Sequence, residues 1–375
     1  MRTLKFKLEV ITPMFIAGAD QQSIENEGLR PASLRGLMRW WFRAIMGGMV
    51  TLKDMQDLES RIFGSTQVRS RIKITTATDS KPCRIDIPSK LRYLWFSISM
   101  QERKGYPQKS QFEIVLHSDD ERALKIASAC LWTLVYLGGI GSRMRRGAGS
   151  VKIVEASSEI PYEFLFKGKT LREAKSFIEE NLEKIFKDFR EYADKKYHPP
   201  TSPNFAVLSK NYAKISILDS KTDKFNKFEE ALSEIGDKYK QFRKDKNLIE
   251  RLTLGLPIIS PHNLRRAESS IRKKLSFEKI KNIKKLEEDK LIKKIKSEKD
   301  NEIKLFLSLL LLKKLRQASP LFIGVMDLNG RYAVRLVKFY TCIHKEAFLW
   351  KLSSPKEDLN KFNEEIKEVE IKIPQ

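Results

Sequence analysis

Apolar and polar residues alternate at the start of the chain and then change to helical spacing. Apolar residues occupy every second position from Leu4 to Val10, which predicts a strand with one buried face. From residue 34 onward they recur at intervals of three and four. This spacing predicts an amphipathic helix from Ser33, its expected N-cap, to about Met46.

The remainder of the first 158 residues is predicted to form strands around a second helix. Glu121–Leu137 is apolar on nearly all sides, which predicts a deeply packed helix with Ser118 in its capping box. A turn is expected at 61–65. Further strands are predicted at 69–75, 91–100, 111–117 and 151–154. With one extra strand in the middle, this order is the β-α-β-β-α-β pattern of ferredoxin-like domains, so one such domain is predicted over 1–158.

The second half, residues 159–375, is predicted to form a less regular α+β domain. Helices are expected at 170–192, 224–246 and 303–315, and strands at 205–218, 321–327 and 331–339. Asn329 and Gly330 form a strong hairpin signal between the last two strands. Residues 265–304 carry 15 basic and 8 acidic side chains, and we expect exposed basic helices there.

Charge narrows the possible partners. The chain has 72 basic and 48 acidic residues, a formal net charge of +24. This excess points to a polyanion, nucleic acid before membrane, and no cofactor is indicated. No signal peptide is visible and no apolar segment is long enough to span a bilayer, so no membrane partner is expected. The three cysteines fit neither a zinc pattern nor a disulfide framework, which predicts a cytoplasmic protein.

Residues 138–150, which we name the Gly/Arg loop, contain five glycines and three arginines between a helix and a strand. Glycine is used where φ must be positive or where something approaches the main chain closely, and arginine offers forked donors that match phosphate. A helix C-cap with a tight turn is the alternative for the first two glycines. The candidate binding residues of the loop are Gly141, Arg143, Arg145, Arg146, Gly147 and Gly149.

Arg35, Arg39 and Arg43 are spaced by four residues and therefore share one face of the first helix. Positive charge in a first turn opposes the helix dipole, so Arg35 is better explained by a bound anion than by helix stability. A solvated basic face is the alternative. Trp40, beside this face, is a candidate for stacking on a base or for core packing. Arg35, Arg39 and Arg43 are expected to line one groove with the three arginines of the Gly/Arg loop, and Arg30 is a further candidate binding residue.

No catalytic or metal-ligating arrangement can be nominated from the sequence. The four histidines have no His or Cys neighbour at ligand spacing, so neither a metal site nor a catalytic residue is predicted. Asp20, in the loop after the first strand, is the one acid that sits obviously beside the proposed basic surface. Loop aspartates mostly form turns.

Several short motifs resemble the RAMP proteins of CRISPR systems. The motifs are Thr-Pro-Met-Phe at 12–15, Gly18, Arg-Pro-Ala-Ser-Leu-Arg-Gly-Leu-Met-Arg-Trp-Trp at 30–41, Ile-Phe-Gly-Ser at 62–65 and the Gly/Arg loop. The Arg-Trp-Trp helix is similar to that of the first-numbered RAMP subunit of the Cmr (type III-B) effector complex. Residues 254–257 and 316–321 resemble the second half of that subunit.

The resemblance implies an α+β fold of two ferredoxin-like (RRM-like, βαββαβ) domains in tandem with helical insertions. It implies a non-catalytic, RNA-binding subunit of a CRISPR ribonucleoprotein that acts in antiviral defence. The implied partners are the 3′ region of the guide RNA, the target RNA and other RAMP subunits of the Cmr complex. Two alternatives remain open: a metal-dependent RAMP endoribonuclease that uses Asp20, and a basic scaffold that binds acidic proteins.

Overall fold

The computed structural model describes residues 2–18, 24, 28–101, 103–157, 159–199, 205–220, 225–244, 261–314, 319–340 and 367–374. The strands are β1 Arg2–Val10, β2 Lys73–Ala77, β3 Cys83–Arg84, β4 Lys104–Gly105, β5 Gln111–Ser118, β6 Val151–Ala156, β7 Ala213–Asp219, β8 Leu321–Asp327, β9 Tyr332–Phe339 and β10 Lys367–Ile371. The helices are α1 Pro31–Met46, α2 Leu52–Phe63, α3 Phe96–Ser99, α4 Glu121–Leu137, α5 Leu171–Ala193, α6 Phe228–Lys244, α7 Pro261–Ile271, α8 Phe277–Lys285, α9 Glu288–Ser297 and α10 Asn301–Lys314.

The strands form two four-stranded sheets with the same strand order. The first sheet runs β2-β5-β1-β6 and the second runs β8-β9-β7-β10, with every neighbouring pair antiparallel. In each sheet, the strand that comes first along the chain therefore lies between the third and the fourth. β3 and β4 form a separate two-stranded ribbon. The predicted α+β class is confirmed, with antiparallel sheets.

The two sheets differ in how far they are covered. Buried and more exposed side chains alternate along β1, so one face of the first sheet packs in the core and the other meets solvent. Nearly every residue of β8 and β9 is buried. The reason is that β8 contributes to two clusters: Phe322 packs on Trp41 of α1, and Ile323 packs in the cluster that contains α6.

Arg335 of β9 joins the second sheet to the end of α4. Its buried guanidinium donates to the carbonyl oxygens of Val135 and Tyr136, at 3.2 and 2.7 Å, and to that of Gly138. The last carbonyls of a helix have no partner within it, so these donors complete the C-terminus of α4. Burial lowers the pKa of Arg335 to about 9. The second sheet therefore fixes the place where the Gly/Arg loop begins.

The basic segment forms an insertion of four helices between α6 and β8. Helices α7 to α10 bury apolar side chains in a cluster of their own, which includes Ile271, Ile280, Leu291 and Phe306. Most of the lysines and arginines described in these helices are exposed. The prediction of helices with solvated basic faces is confirmed, and their scattered Leu and Ile residues form a core.

The predicted strand at 91–100 is wrong. This segment instead forms one 3₁₀ turn at Ser89–Leu91, followed by α3. Its buried residues follow helical spacing, and they are Leu91, Leu94, Trp95 and Ile98. The aromatic content of the segment favours a strand, but the interval between buried positions is the better signal.

Both predicted helix caps are wrong as well. α1 begins at Pro31, so Ser33 lies in its first turn, and Arg30 occupies the N-cap position without a side-chain hydrogen bond. Proline at the first helical position has its φ already set and needs no partner for an N–H, which explains the earlier start. α4 is capped by Asp120, whose carboxylate accepts a backbone N–H three residues on, and not by Ser118.

The other predicted helices and the hairpin are confirmed, whereas the strand expected at 205–218 begins only at Ala213. The helices expected at 121–137, 170–192, 224–246 and 303–315 are α4, α5, α6 and α10. Asn329 and Gly330 have φ of 52° and 110°, as the hairpin between β8 and β9 requires. The strand expected at 69–75 begins later, at Lys73, and helix α2 covers most of the turn expected at 61–65.

Candidate nucleic-acid interface

Because α1 begins at Pro31, Arg35 is its fifth residue and lies in the second turn, not in the first turn where the sequence placed it, so the helix dipole opposes its charge less than expected. No acidic residue lies in the first turn. Arg35 donates one N–H to the Ile72 carbonyl oxygen at 3.2 Å, while its buried Nε has no hydrogen-bond partner among the described residues. A buried donor without a partner costs stability. The buried Nε of Arg335 has the same deficit, so this feature alone does not mark a binding site; Arg35 is a candidate anion ligand because its side chain also lines a cleft open to solvent.

Arg39 and Arg43 share a single carboxylate. Glu59 of α2, which is 2% exposed, accepts from Arg39 at 2.5–2.6 Å and also pairs with Arg43. The hydrogen bond to Glu59 raises the pKa of Arg43. The two arginine side chains are still 31% and 49% exposed. Two cations against one carboxylate leave a net positive site that solvent can reach.

A cleft beside β2 extends this positive surface. Its charged lining residues are Arg35, Arg69, Arg71, Lys73, Asp119 and Asp120. Arg71 pairs with Asp120, the residue that caps α4. Cations outnumber carboxylates in the cleft by four to two. We call Arg35, Arg39, Arg43 and this cleft the α1 arginine face.

The glycines of the Gly/Arg loop approach the protein's own atoms. Gly141, Gly147 and Gly149 have positive φ of 97°, 84° and 65°. A Cβ at Gly149 would collide with the Ile140 carbonyl oxygen, and one at Gly141 would lie 2.6 Å from the Phe15 oxygen. The loop therefore needs glycine in order to fold. The sequence suggests that a ligand approaches the main chain of these glycines, but the atoms that approach them closely belong to the protein itself.

Arg145 is held between α1 and the second sheet. Its guanidinium donates to the Ser319 carbonyl oxygen at 2.6 Å and lies 4.3 Å from the ring centre of Phe322 and 5.3 Å from that of Trp40. Burial and then the neighbouring Arg146 lower the pKa of Arg145 to about 10. These contacts, a carbonyl and two aromatic rings, occupy the donors and the flat face of the guanidinium.

Arg146 and Arg143 contact other elements. Arg146 donates to the Tyr239 hydroxyl of α6 at 2.9 Å and lies over that ring. Arg143 donates from Nε to the Ser97 hydroxyl of α3 at 3.0 Å. Burial lowers the pKa of Arg143, and the nearby Arg146 and Arg103 lower it further. Arg143 therefore lies in a region of concentrated positive charge beside α3.

Trp40 and Arg30 have internal partners. The ring of Trp40 lies 5.2 Å from that of Phe322 and 5.6 Å from that of Phe339. Trp40 therefore packs against the core, which is the alternative to stacking on a base. Arg30 donates to the Ala17 carbonyl oxygen at 3.2 Å, which ties the start of α1 to the loop after β1.

The contacts of the two arginine sets do not form the single groove that the sequence predicts. The α1 set contacts α2 and the chain before β2, whereas the loop set contacts α3, α6 and the chain around the start of β8. The physical reason is that carbonyls and rings of the second half take up the donors of the loop. Trp40 joins the two sets through its contact with Arg145.

Two features of the candidate interface were not predicted from the sequence. No local pattern marks Glu59, because only the packing of α2 on α1 brings it to two arginines. The exposed side chains of Tyr93, Phe96 and Met100 lie in the segment assigned to a strand. Helical spacing of its buried residues would have placed these three on the outer side.

The described residues contain no group of three or more His, Cys, Asp or Glu side chains that could hold a metal ion. Asp20, on which the nuclease alternative depends, lies outside the described residues. Within the described parts of the chain, no helix has both the length and the apolar character needed to cross a membrane.

The sequence model of the RAMP superfamily matches residues 7–152. The CRISPR system Cmr subunit Cmr1-1 of Pyrococcus furiosus is 28% identical over 350 residues, which cover 90% of this chain and 87% of the relative. Cmr subunit Cmr1-2 of the same organism is 36% identical over 177 residues, which cover 40% of this chain and 93% of the relative. The chain therefore belongs to the RAMP superfamily and, within it, to the family of Cmr1 subunits.

Solved structures agree on the fold. The crystal structure of Cmr1 from Pyrococcus furiosus in its apo form superposes with a TM-score of 0.63 at 24% identity, covering 99% of both chains. A chain of the cryo-EM structure of the type III-B Cmr-beta bound to cognate target RNA gives a TM-score of 0.54 at 15% identity, covering 95% of this chain and 99% of that one. At these identities the likeness concerns the fold alone.

Proposed function

We propose that this chain is a non-catalytic, RNA-binding subunit of a type III-B Cmr ribonucleoprotein. In this role it contacts the 3′ region of the guide RNA and the target RNA, beside other RAMP subunits, in antiviral defence. Membership of the Cmr1 family and the net charge of +24 support the proposal. The similar chain from a complex with target RNA supports it through its fold.

The observation that carries the proposal is the α1 arginine face. Its cations exceed its carboxylates, and the side chains of Arg39 and Arg43 remain 31% and 49% exposed although they share Glu59. Phosphate groups supply the acceptors that such guanidinium groups lack. A backbone phosphate close to the first turn of α1 also fits the positive end of the helix dipole.

Both halves are, in this proposal, ferredoxin-like domains in tandem, at 1–158 and 159–375. The shared strand order and the helix after the first strand of each sheet support this reading. Helices α7 to α10 are then an insertion in the second domain.

RNA is held mainly by its backbone rather than stacked on the open sheet. RRM domains stack bases on aromatic side chains of their sheet. In the central strands of the first sheet the aromatic residues, Phe6 and Phe112, are buried on the other face. The open face instead carries Lys5, Lys7 and Glu113. Phosphate contacts depend little on base sequence.

The test measures the affinity for labelled single-stranded RNA over a range of salt concentrations. Each lost phosphate contact should lower the slope of log affinity against log salt by about 0.7, and we expect this for Arg35→Gln. Arg39 and Arg43 are exchanged for Gln together with Glu59→Gln, because Glu59 would otherwise become a buried unpaired carboxylate. Arg2→Gln, an exposed arginine paired with Glu121, is the control. An unchanged slope in correctly folded variants would contradict the proposal.

The non-catalytic role has its own test. Labelled RNA incubated with the protein and Mg²⁺ or Mn²⁺ should stay intact. Cleavage that requires the metal and disappears in Asp20→Ala would replace this part of the proposal with the endoribonuclease alternative.

A further inference from the structure

The segment around α3 presents large apolar side chains to solvent although its inner side is fully packed. Tyr93, Phe96 and Met100 are 39%, 59% and 70% exposed. The residues on the inner side of the segment, including Leu94 and Ile98, are buried in the cluster that contains α6. The inner residues pack in the core, and Tyr93 contacts its edge through the ring of Tyr239, with ring centres 6.3 Å apart. Phe96 and Met100 are the most exposed apolar residues of the segment.

This segment is rigidly attached to the Gly/Arg loop. The Trp95 indole N–H donates to the Arg146 carbonyl oxygen at 2.9 Å, and the Trp95 ring lies edge-on to Phe15 with centres 5.9 Å apart. From the other side, Arg143 donates to the Ser97 hydroxyl. A ligand that contacts the outer residues therefore meets side chains on a fixed backbone, which limits the entropy lost on binding.

The charged side chains of residues 89–101 and of the Gly/Arg loop are all cationic, whereas helix α6, which packs on the inner side of the segment, carries both signs. Residues 89–101 contain Lys90 and Arg92, both exposed, and no acidic residue. The Gly/Arg loop adds three arginines and no acid. A surface that combines flat or polarisable apolar groups with an excess of cations complements a chain of flat bases joined by phosphates. Aromatic residues and Met are also common in protein interfaces, so an acidic protein is the occupant that the experiment must exclude.

We propose that Tyr93, Phe96 and Met100 form a platform on which bases of single-stranded RNA stack, with Lys90, Arg92 and Arg143 beside it for the phosphates. This site lies on α3 and not on the open sheet face, and it is distinct from the α1 arginine face. The inference rests on the proposed function, because it assumes that the protein binds RNA.

The experiment uses the full chain and a labelled, unstructured single-stranded RNA, with binding followed by fluorescence anisotropy. Phe96→Ala with Met100→Ala should weaken binding roughly 5- to 100-fold, the range expected for lost base stacking. The slope of affinity against salt should stay unchanged, because no phosphate contact is removed. The matched control is Phe277→Ala with Leu305→Ala, which removes an exposed aromatic and an exposed aliphatic side chain from the helical insertion.

A second probe separates stacking from other effects. An RNA of the same length with abasic sites keeps the phosphates and lacks the bases, so wild type and the double variant should bind it equally. Equal weakening for both RNAs would overturn the proposal. A double variant that binds RNA like wild type would also overturn it. If that variant in addition fails to join its partner subunits, the three side chains form a protein interface.

The outcomes also distinguish this inference from the proposed function. If Arg35→Gln lowers the salt slope while the platform variant binds normally, the platform is wrong and RNA binding by α1 stands. If wild-type protein does not bind RNA at all, both are wrong.

Discussion

Helix α1 and the Gly/Arg loop each carry three of the arginines predicted to bind, yet the fold uses them differently. Arg145 and Arg146 of the loop are bound to carbonyls, a hydroxyl and aromatic rings of the second half. On α1, Arg39 and Arg43 share one carboxylate, and Arg35 has a donor left over. The density of arginine in a motif therefore does not show whether its charge is available to a ligand.

The difference has a structural cause. The loop passes between two sheets, where buried carbonyl groups must find donors. Arginines supply these donors, and Arg335 does the same for the end of α4. α1 instead presents its arginines on its outer side, where α2 contacts Arg39 and Arg43 and the chain before β2 contacts Arg35. We therefore expect changes in the loop to affect mainly stability, and changes on α1 to affect mainly RNA binding.

The largest loss of stability is expected from Gly149→Ala in the Gly/Arg loop. The new Cβ would collide with the Ile140 carbonyl oxygen, and alanine would be strained at a φ of 65°. We expect a loss of about 3 kcal/mol or more of unfolding free energy, measured by urea denaturation. The control is Gly36→Ala on α1, where nothing lies within 4 Å of the new Cβ and helix propensity should add up to about 1 kcal/mol. Equal stability of both variants would show that the loop is not tightly packed.

A smaller loss is expected when the buried arginine of β9 is removed. Arg335→Met leaves the carbonyls of Val135 and Tyr136 without these donors, at a cost of roughly 1–3 kcal/mol. Arg265→Met on exposed α7 should change stability by less than about 0.5 kcal/mol. If thermal unfolding gives the same stability for both variants, the junction between the sheets does not depend on Arg335.

Glu59→Gln should separate the effect of the α1 arginines on stability from their effect on RNA binding. It removes the one carboxylate that Arg39 and Arg43 share, so stability should fall by about 1 kcal/mol while both cations become available. RNA affinity should rise, and the salt slope should grow by up to about 0.7 for each new phosphate contact. Weaker RNA binding would mean instead that Glu59 is needed to orient the arginines.

The last prediction concerns the buried Lys338 of β9, whose effect appears only above about pH 8. Burial lowers the pKa of Lys338 to about 8, from a usual value of 10.5. Between these values the unfolded chain binds more protons than the folded one, so this group makes stability rise with pH from about 8 to 10.5. The rise is at most about 1.4 kcal/mol per pH unit. Urea denaturation of Lys338→Met should lack this part of the pH dependence, and an identical pH profile would show that Lys338 keeps its ordinary pKa.

Sequence patterns predicted local structure well where one periodicity dominated. The bounds of α4 and the hairpin at Asn329 and Gly330 were accessible because side-chain spacing and turn chemistry act over a few residues. The segment 91–100 failed because its aromatic content and its spacing pointed to different elements. The candidate site was predicted in part. Spacing alone put three arginines on one face of α1, but no pattern indicated that Arg39 and Arg43 share Glu59.

The sequence by itself determined the α+β class, the excess of positive charge and the motifs of the RAMP superfamily, because composition and short motifs need no distant contacts. Only the tertiary structure decided which of those charges remain available. Arg145 finds its carbonyl partner 174 residues further along the chain, and Arg335 reaches back 199 residues to Tyr136. The availability of a cation depends on such long-range partners, which are brought together only when the two sheets pack.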